Sequence, residues 1–125
     1  MIAPVIPGLN ESELPAILEA SADAGASTCS YILLRLPHSV KDIFADWLKQ
    51  QRPNEADKVL SRIIDTRQGQ LNDTVFGQRM RGIGPMAEQI AALFKVTARR
   101  LGLDRQLAPL ATDLFRPPDG QGRLF

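Results

Sequence analysis

The sequence predicts a mixed α/β fold, in which a strand, a helix and a second strand are followed by a mainly helical extension. Two short apolar segments, 1–7 and 30–36, are each limited by proline, and a helical pattern separates them. After Ser39 the apolar spacing becomes that of helices. The chain has 125 residues, which is the size of one small domain, so two independent domains are not expected.

The first segment reads as a brief strand that ends in a turn at Pro7-Gly8. Asn10 lies three residues before Glu13, the spacing of a capping box, and predicts that a helix starts there. Residues 30–36 form a nearly continuous apolar run, typical of a strand covered on both faces in a parallel sheet. A strand, a crossover helix and a second strand therefore predict one parallel βαβ unit.

We assign this βαβ unit to residues 1–38, a helical extension to 39–110 and a flexible tail to 111–125. The extension contains three apolar stripes with helical spacing. They consist of Val40, Ile43, Phe44, Trp47 and Leu48; of Ala56, Val59, Leu60, Ile63 and Ile64; and of Met86, Ile90, Leu93, Phe94 and Leu101. We expect the first two stripes to pack inward. Pro85 and Gly102 delimit the third helix.

Composition and charge indicate an ordinary globular chain. It is 44% hydrophobic and 23% charged with a net charge of +1, which implies no polyanionic partner. No apolar run is long enough to cross a bilayer and no secretory signal is recognisable, so we expect a cytoplasmic protein without membrane contact. Cys29 is the single cysteine, which excludes an intramolecular disulfide, a multi-thiolate zinc site and a cluster held by three cysteines of this chain.

Three segments carry a resemblance to a known family: 3–14, 20–26 and 31–38. Together they resemble the late part of the radical S-adenosylmethionine (SAM) barrel, and most closely the DNA-repair-photolyase-like group of that superfamily. The fifth strand of that barrel ends in a Gly-x-Ile-x-Gly-x-x-Glu element that lies against the cofactor. Here Ile6, Gly8 and Glu11 match its last three positions, while Pro4 replaces its first glycine.

The resemblance implies a βαβ remnant of a radical SAM barrel in which Ile6, Gly8 and Glu11 help to bind SAM. It also implies a [4Fe–4S] cluster, whose three cysteines this chain lacks. We therefore expect no bound cofactor and no catalysis in this chain alone, which would be the C-terminal portion of a longer enzyme with an unknown substrate, nucleic-acid repair or modification being one candidate. On the residues alone, a turn and a helix cap are the favoured interpretation of Gly8 and Asn10.

A βαβ unit cut from a barrel leaves strand edges unpaired. We expect its partner to be the N-terminal half of the barrel or a second copy of the chain. The apolar strand residues otherwise have to be buried under the helices.

Arg35 and His38 are the candidate substrate-binding residues, because they lie at the carboxyl end of the second strand. Arg35 interrupts an apolar segment, and its guanidinium requires a partner or a cavity. Glu11 and Glu13 are the candidate counter-ions. A role for His38 as a helix cap or surface residue stays open, as does a purely structural pairing of Arg35.

The loop from Gly77 to Gly84 places Arg79 and Arg81 before a helix, an arrangement that suits phosphate; a solvated loop is the alternative. The terminal Gln121, Leu124 and Phe125 resemble the pentapeptide with which bacterial replication and repair proteins bind the sliding clamp, although an ordinary frayed tail explains them as well. These features define the alternative function: a helical interaction module that binds nucleic acid or the clamp.

Overall fold

A computed structural model describes residues 1–72 and 77–114. Within these ranges the chain forms a two-stranded parallel sheet and four α-helices. The elements in chain order are β1 (Ile2–Val5), α1 (Leu14–Asp23), β2 (Tyr31–Leu33), α2 (Val40–Gln51), α3 (Ala56–Asp65) and α4 (Gly84–Arg100). The predicted mixed α/β class is confirmed at this level.

The two strands pair in parallel, as the strand-helix-strand pattern predicted. Ile2 lies opposite Tyr31 and Val5 lies opposite Leu33, with an irregularity between the two pairs. The other edge of β2 is not left open, because the backbone N–H of Leu33 donates to the carbonyl of Met80 at 2.9 Å. The loop before α4 thus occupies the place that a further strand takes in a larger sheet.

The predicted capping box at the start of α1 is wrong. Residues Glu11–Glu13 form a single 3₁₀ turn before the helix, and Asn10 makes no side-chain cap to it. The Asn10 amide instead bonds back toward β1, and the carboxylate that accepts a turn amide belongs to Glu11, not to Glu13. The helix ends at Asp23, and Gly25 follows the C-cap residue Ala24 in the left-handed conformation.

The sheet is covered on one side by α1 and α4, whose apolar residues form the first core cluster. This cluster contains Val5, Leu14, Leu18, Tyr31, Leu33, Ala87, Ile90, Phe94, Ala98 and Leu103. The Tyr31 and Phe94 rings meet with their centroids 4.7 Å apart. The strand residues Val5 and Leu33 are therefore buried by the helices of this chain, which is one of the two expected outcomes for them.

A second core cluster lies between α2 and α3 and contains Leu36, Leu48, Ala56, Val59 and Ile63. The prediction that the α2 stripe packs inward is wrong for most of its residues. Leu48 is buried, but Val40, Ile43 and Trp47 are 44%, 67% and 44% exposed. Of this stripe, Leu48 lies in the second core cluster and the half-buried Phe44 packs against it, while the other three side chains extend beyond that cluster.

Candidate functional site

The turn after β1 is held by side-chain hydrogen bonds to its own backbone. The N–H of Gly8 donates to Glu11 Oε2 at 2.7 Å, and the N–H of Ile6 donates to Asn10 Oδ1 at 2.7 Å. Asn10 Nδ2 in turn donates to the carbonyl of Pro4 at 3.2 Å. Gly8 has a φ of +86°, a conformation that glycine adopts without strain. The three residues predicted to bind SAM are therefore brought together, with the backbone amides of Ile6 and Gly8 already occupied.

Arg62 of α3 closes this turn from outside. Its Nη1 atom lies 3.0 Å from Glu11 Oε1, and both side chains are more than half buried. A Cβ atom added to Gly8 would lie 2.8 Å from Arg62 Cδ, so the arginine stem fills the space that the glycine leaves. Glu11, one of the two counter-ions considered for Arg35, is thus paired with Arg62 instead.

The end of β2 opens into a cleft of about 810 Å³ between segments 35–41 and 67–72. Its polar lining residues include Arg35, His38, Lys41, Gln68, Gln70 and Asn72, and Leu36, Pro37 and Leu71 add apolar surface. The described lining residues include Arg35, Lys41 and Arg67 but no aspartate or glutamate, so this part of the lining is cationic. Both predicted substrate-binding residues, Arg35 and His38, lie in its wall.

The backbone of the cleft is strained on both sides. His38 has a φ of +49° and Gln68 a φ of +56°. In residues 1–72 and 77–114 these are the non-glycine residues with positive φ, and both line this cleft. Left-handed conformations of residues with a Cβ cost free energy and concentrate at functional sites.

Two side-chain atoms of the cleft wall lack hydrogen-bond partners in the described structure. Arg35 Nε is a buried donor and Asn72 Oδ1 is a buried acceptor, and neither is bonded. Buried polar groups in proteins are nearly always hydrogen-bonded, so these two atoms lower the stability of the cleft wall.

Arg67 fastens the inner wall of the cleft and was missed by the sequence analysis. Its side chain is among the most deeply buried of the described residues. Nη2 donates to the carbonyl of Leu34 at 2.8 Å, and Nη1 donates to the carbonyl of Arg79 at 2.8 Å. The guanidinium thereby links the end of β2 to the loop before α4. The one sequence signal for this role is an arginine three residues after Ile64, the last residue of the apolar stripe of α3.

The glycine-rich loop before α4 is packed onto the sheet. The Arg81 guanidinium lies over the ring of Tyr31, 4.6 Å from its centroid. A Cβ atom at Gly82 would lie 2.9 Å from Leu33 Cδ1 and 3.0 Å from the carbonyl oxygen of Thr66, so this glycine is required by close packing. The arrangement supports a structural role for this loop over the predicted phosphate site at Arg79 and Arg81.

Cys29 is half-buried beside the first core cluster, and its Sγ atom donates to the carbonyl of Leu103 at 3.6 Å. Burial raises the pKa of this thiol, which disfavours the reactive thiolate. Within the described ranges, no three or more His, Cys, Asp or Glu side chains are grouped to hold a metal ion. In the same ranges no helix has both the length and the apolar character of a membrane span.

Comparisons with protein-family models, with curated proteins and with solved structures found no match to this chain. The predicted clamp-binding residues Gln121, Leu124 and Phe125 lie outside the described residues, and their role stays a prediction.

Proposed function

We propose that this chain is the C-terminal portion of a radical SAM enzyme, to which it contributes two adjacent strands of the barrel and a helical extension. The observation that carries this proposal is the parallel pairing of β1 and β2 through α1. A hairpin or a pair of helices in place of these strands would have been incompatible with a barrel remnant. Since the carboxyl ends of parallel strands form the binding edge in such folds, the cleft at the end of β2 lies where a substrate is expected.

The residues present do not fit the two cofactors that the resemblance implies. The chain has one cysteine, so it does not hold a cluster that needs three. Both carboxylate oxygens of Glu11 are occupied, and the Arg62 stem fills the space over Gly8. A cofactor can approach Gly8 closely only if Arg62 moves. Within this chain the turn after β1 is therefore a structural element, and the chemistry of the proposed enzyme belongs to residues outside the chain.

The test is to reconstitute a longer protein that includes the upstream cysteines. Under anaerobic conditions with iron and sulfide, we expect the brown absorbance of an iron-sulfur cluster, and on reduction we expect cleavage of SAM to methionine and 5′-deoxyadenosine. The 125-residue chain and the longer protein with its cysteines replaced by alanine are the matched controls, and neither should cleave SAM. A longer protein that takes up no cluster and cleaves no SAM would remove the proposal.

A further inference from the structure

The cleft at the carboxyl end of β2 combines features that the fold itself does not need. It has a volume of about 810 Å³, which lies within the range of small-molecule sites in proteins. Arg35 and Lys41 supply positive charge and His38 supplies an imidazole, with no acidic side chain among the described residues that line the cleft. A cationic cleft of this size favours an anionic ligand over a neutral or cationic one.

The chemistry of the lining side chains narrows the class of ligand. Arg35 and Lys41 donate hydrogen bonds, which an anionic oxygen accepts, but the side-chain carbonyls of Gln68 and Gln70 need a donor, which a simple anion does not have. A nucleotide carries both: phosphate oxygens accept, and its hydroxyl and amino groups donate. The amides of Gln68 and Gln70, each with donors and an acceptor, line the same cleft and suit a ligand of this mixed character.

We infer that this cleft binds a nucleotide, either free or within a single strand, and that Arg35, His38 and Lys41 contact its phosphate. No aromatic side chain of the phenylalanine, tyrosine or tryptophan type is among the described lining residues, so base stacking on such rings supplies no affinity there. Binding is therefore dominated by the phosphate contacts and weakens as salt increases. The inference depends on the cleft and not on the proposed radical chemistry, because binding requires neither a cluster nor SAM.

The first measurement is the binding of a fluorescein-labelled oligothymidylate to the full chain by fluorescence anisotropy at low salt, with thymidine 5′-monophosphate as competitor. Saturable binding is expected, with a log-log salt slope that reflects roughly two or three phosphate contacts. Displacement by the mononucleotide identifies a site for one nucleotide, and binding of the oligomer alone identifies a strand site. The inference is overturned if the oligonucleotide shows no saturable binding and isothermal titration calorimetry shows none for the mononucleotide. Displacement by succinate at the same concentration as the mononucleotide overturns it as well.

Two variants locate the binding in the cleft. Arg35→Gln should weaken binding about tenfold, and Lys41→Gln about threefold to tenfold, because each removes a charged phosphate contact. Lys49→Gln is the matched control, since Lys49 is exposed in the last turn of the same helix and outside the cleft lining. It should change the dissociation constant by less than about twofold.

Circular dichroism and urea unfolding establish that each variant folds. If Arg35→Gln does not fold, the comparison of Lys41→Gln with Lys49→Gln decides alone, because both residues are exposed. Equal losses of affinity in Lys41→Gln and Lys49→Gln would show that binding depends on net charge only, and would overturn the assignment to the cleft.

Discussion

The carboxyl ends of the two strands have the same local sequence pattern but different contacts around them. Each strand is followed by a proline and then by a residue with positive φ: Gly8 at +86° after Pro7, and His38 at +49° after Pro37. At the first end the residue is glycine, and side chains bond the turn amides. At the second end the residue is histidine and the adjoining cleft contains polar atoms without partners.

This difference separates a structural turn from a candidate binding site. A left-handed residue with a Cβ costs about 1 kcal/mol relative to glycine, and an unpaired buried polar group costs about 1 to 3 kcal/mol. The first end avoids both costs, while the second retains both in one cleft. Backbone strain that persists in a folded protein concentrates at active and ligand-binding sites, which makes the second end the candidate site.

The largest effect in this comparison should come from Arg67, which holds the second strand end in place. Arg67→Met keeps much of the length of the side chain but leaves the carbonyls of Leu34 and Arg79 without these donors. Because the Arg67 side chain is fully buried and its bonds to these carbonyls are partly buried, we expect the free energy of unfolding in urea to fall by about 3 kcal/mol.

Arg67→Lys is the matched variant for this prediction. Its single ammonium group does not reproduce the two branches of the guanidinium, which reach carbonyls on separate segments, so most of the loss should remain. A lysine variant as stable as the original chain would show that charge alone suffices and that the bridging geometry is not what matters.

A smaller loss is expected at the first strand end from Gly8→Ala. The added Cβ is strained at a φ of +86° and meets Arg62 Cδ at 2.8 Å, so the arginine has to shift and its bond to Glu11 weakens. We expect unfolding in urea to become easier by about 1 to 2 kcal/mol.

Gly25→Ala is the control for backbone strain, because Gly25 has a φ of +91° and a Cβ atom added there would meet no atom within 4 Å. Gly25→Ala should lower the free energy of unfolding by about 0.5 to 1 kcal/mol less than Gly8→Ala does, because it leaves the contact between Arg62 and Glu11 intact. Equal losses at the two glycines would mean that Arg62 does not close the turn.

The sequence was sufficient for the features that depend on local pattern. Apolar runs that end at a proline predicted the parallel strand-helix-strand unit, and Pro85 and Gly102 predicted the bounds of α4. It was not sufficient for features that depend on contacts between segments far apart in the chain. The spacing on α2 shows which residues share a side but not whether another element covers that side, which is why Trp47 was wrongly placed inward.

The candidate site shows the same limit. The position of Arg35 and His38 at a strand end was predictable, since it follows from where the apolar run stops. Their neighbours in the cleft come from segment 67–72, which lies beyond two intervening helices in the chain, and no local pattern relates the two segments. The choice of Arg62 as the partner of Glu11 has the same origin, because it depends on how α3 lies against the turn.

The smallest expected effect is an increase in the free energy of unfolding, and it tests the comparison of the two strand ends most directly. His38→Gly gives the second strand end the residue type of the first and relieves the strain at φ +49°, so the free energy of unfolding should rise by about 0.5 to 1 kcal/mol. His38→Ala keeps the Cβ and should give no such gain. If His38 is retained for a ligand, the glycine variant is more stable and binds oligothymidylate more weakly. A glycine variant that is less stable would instead show that the imidazole stabilises the fold. Both strand ends would then be structural turns that differ only in residue type.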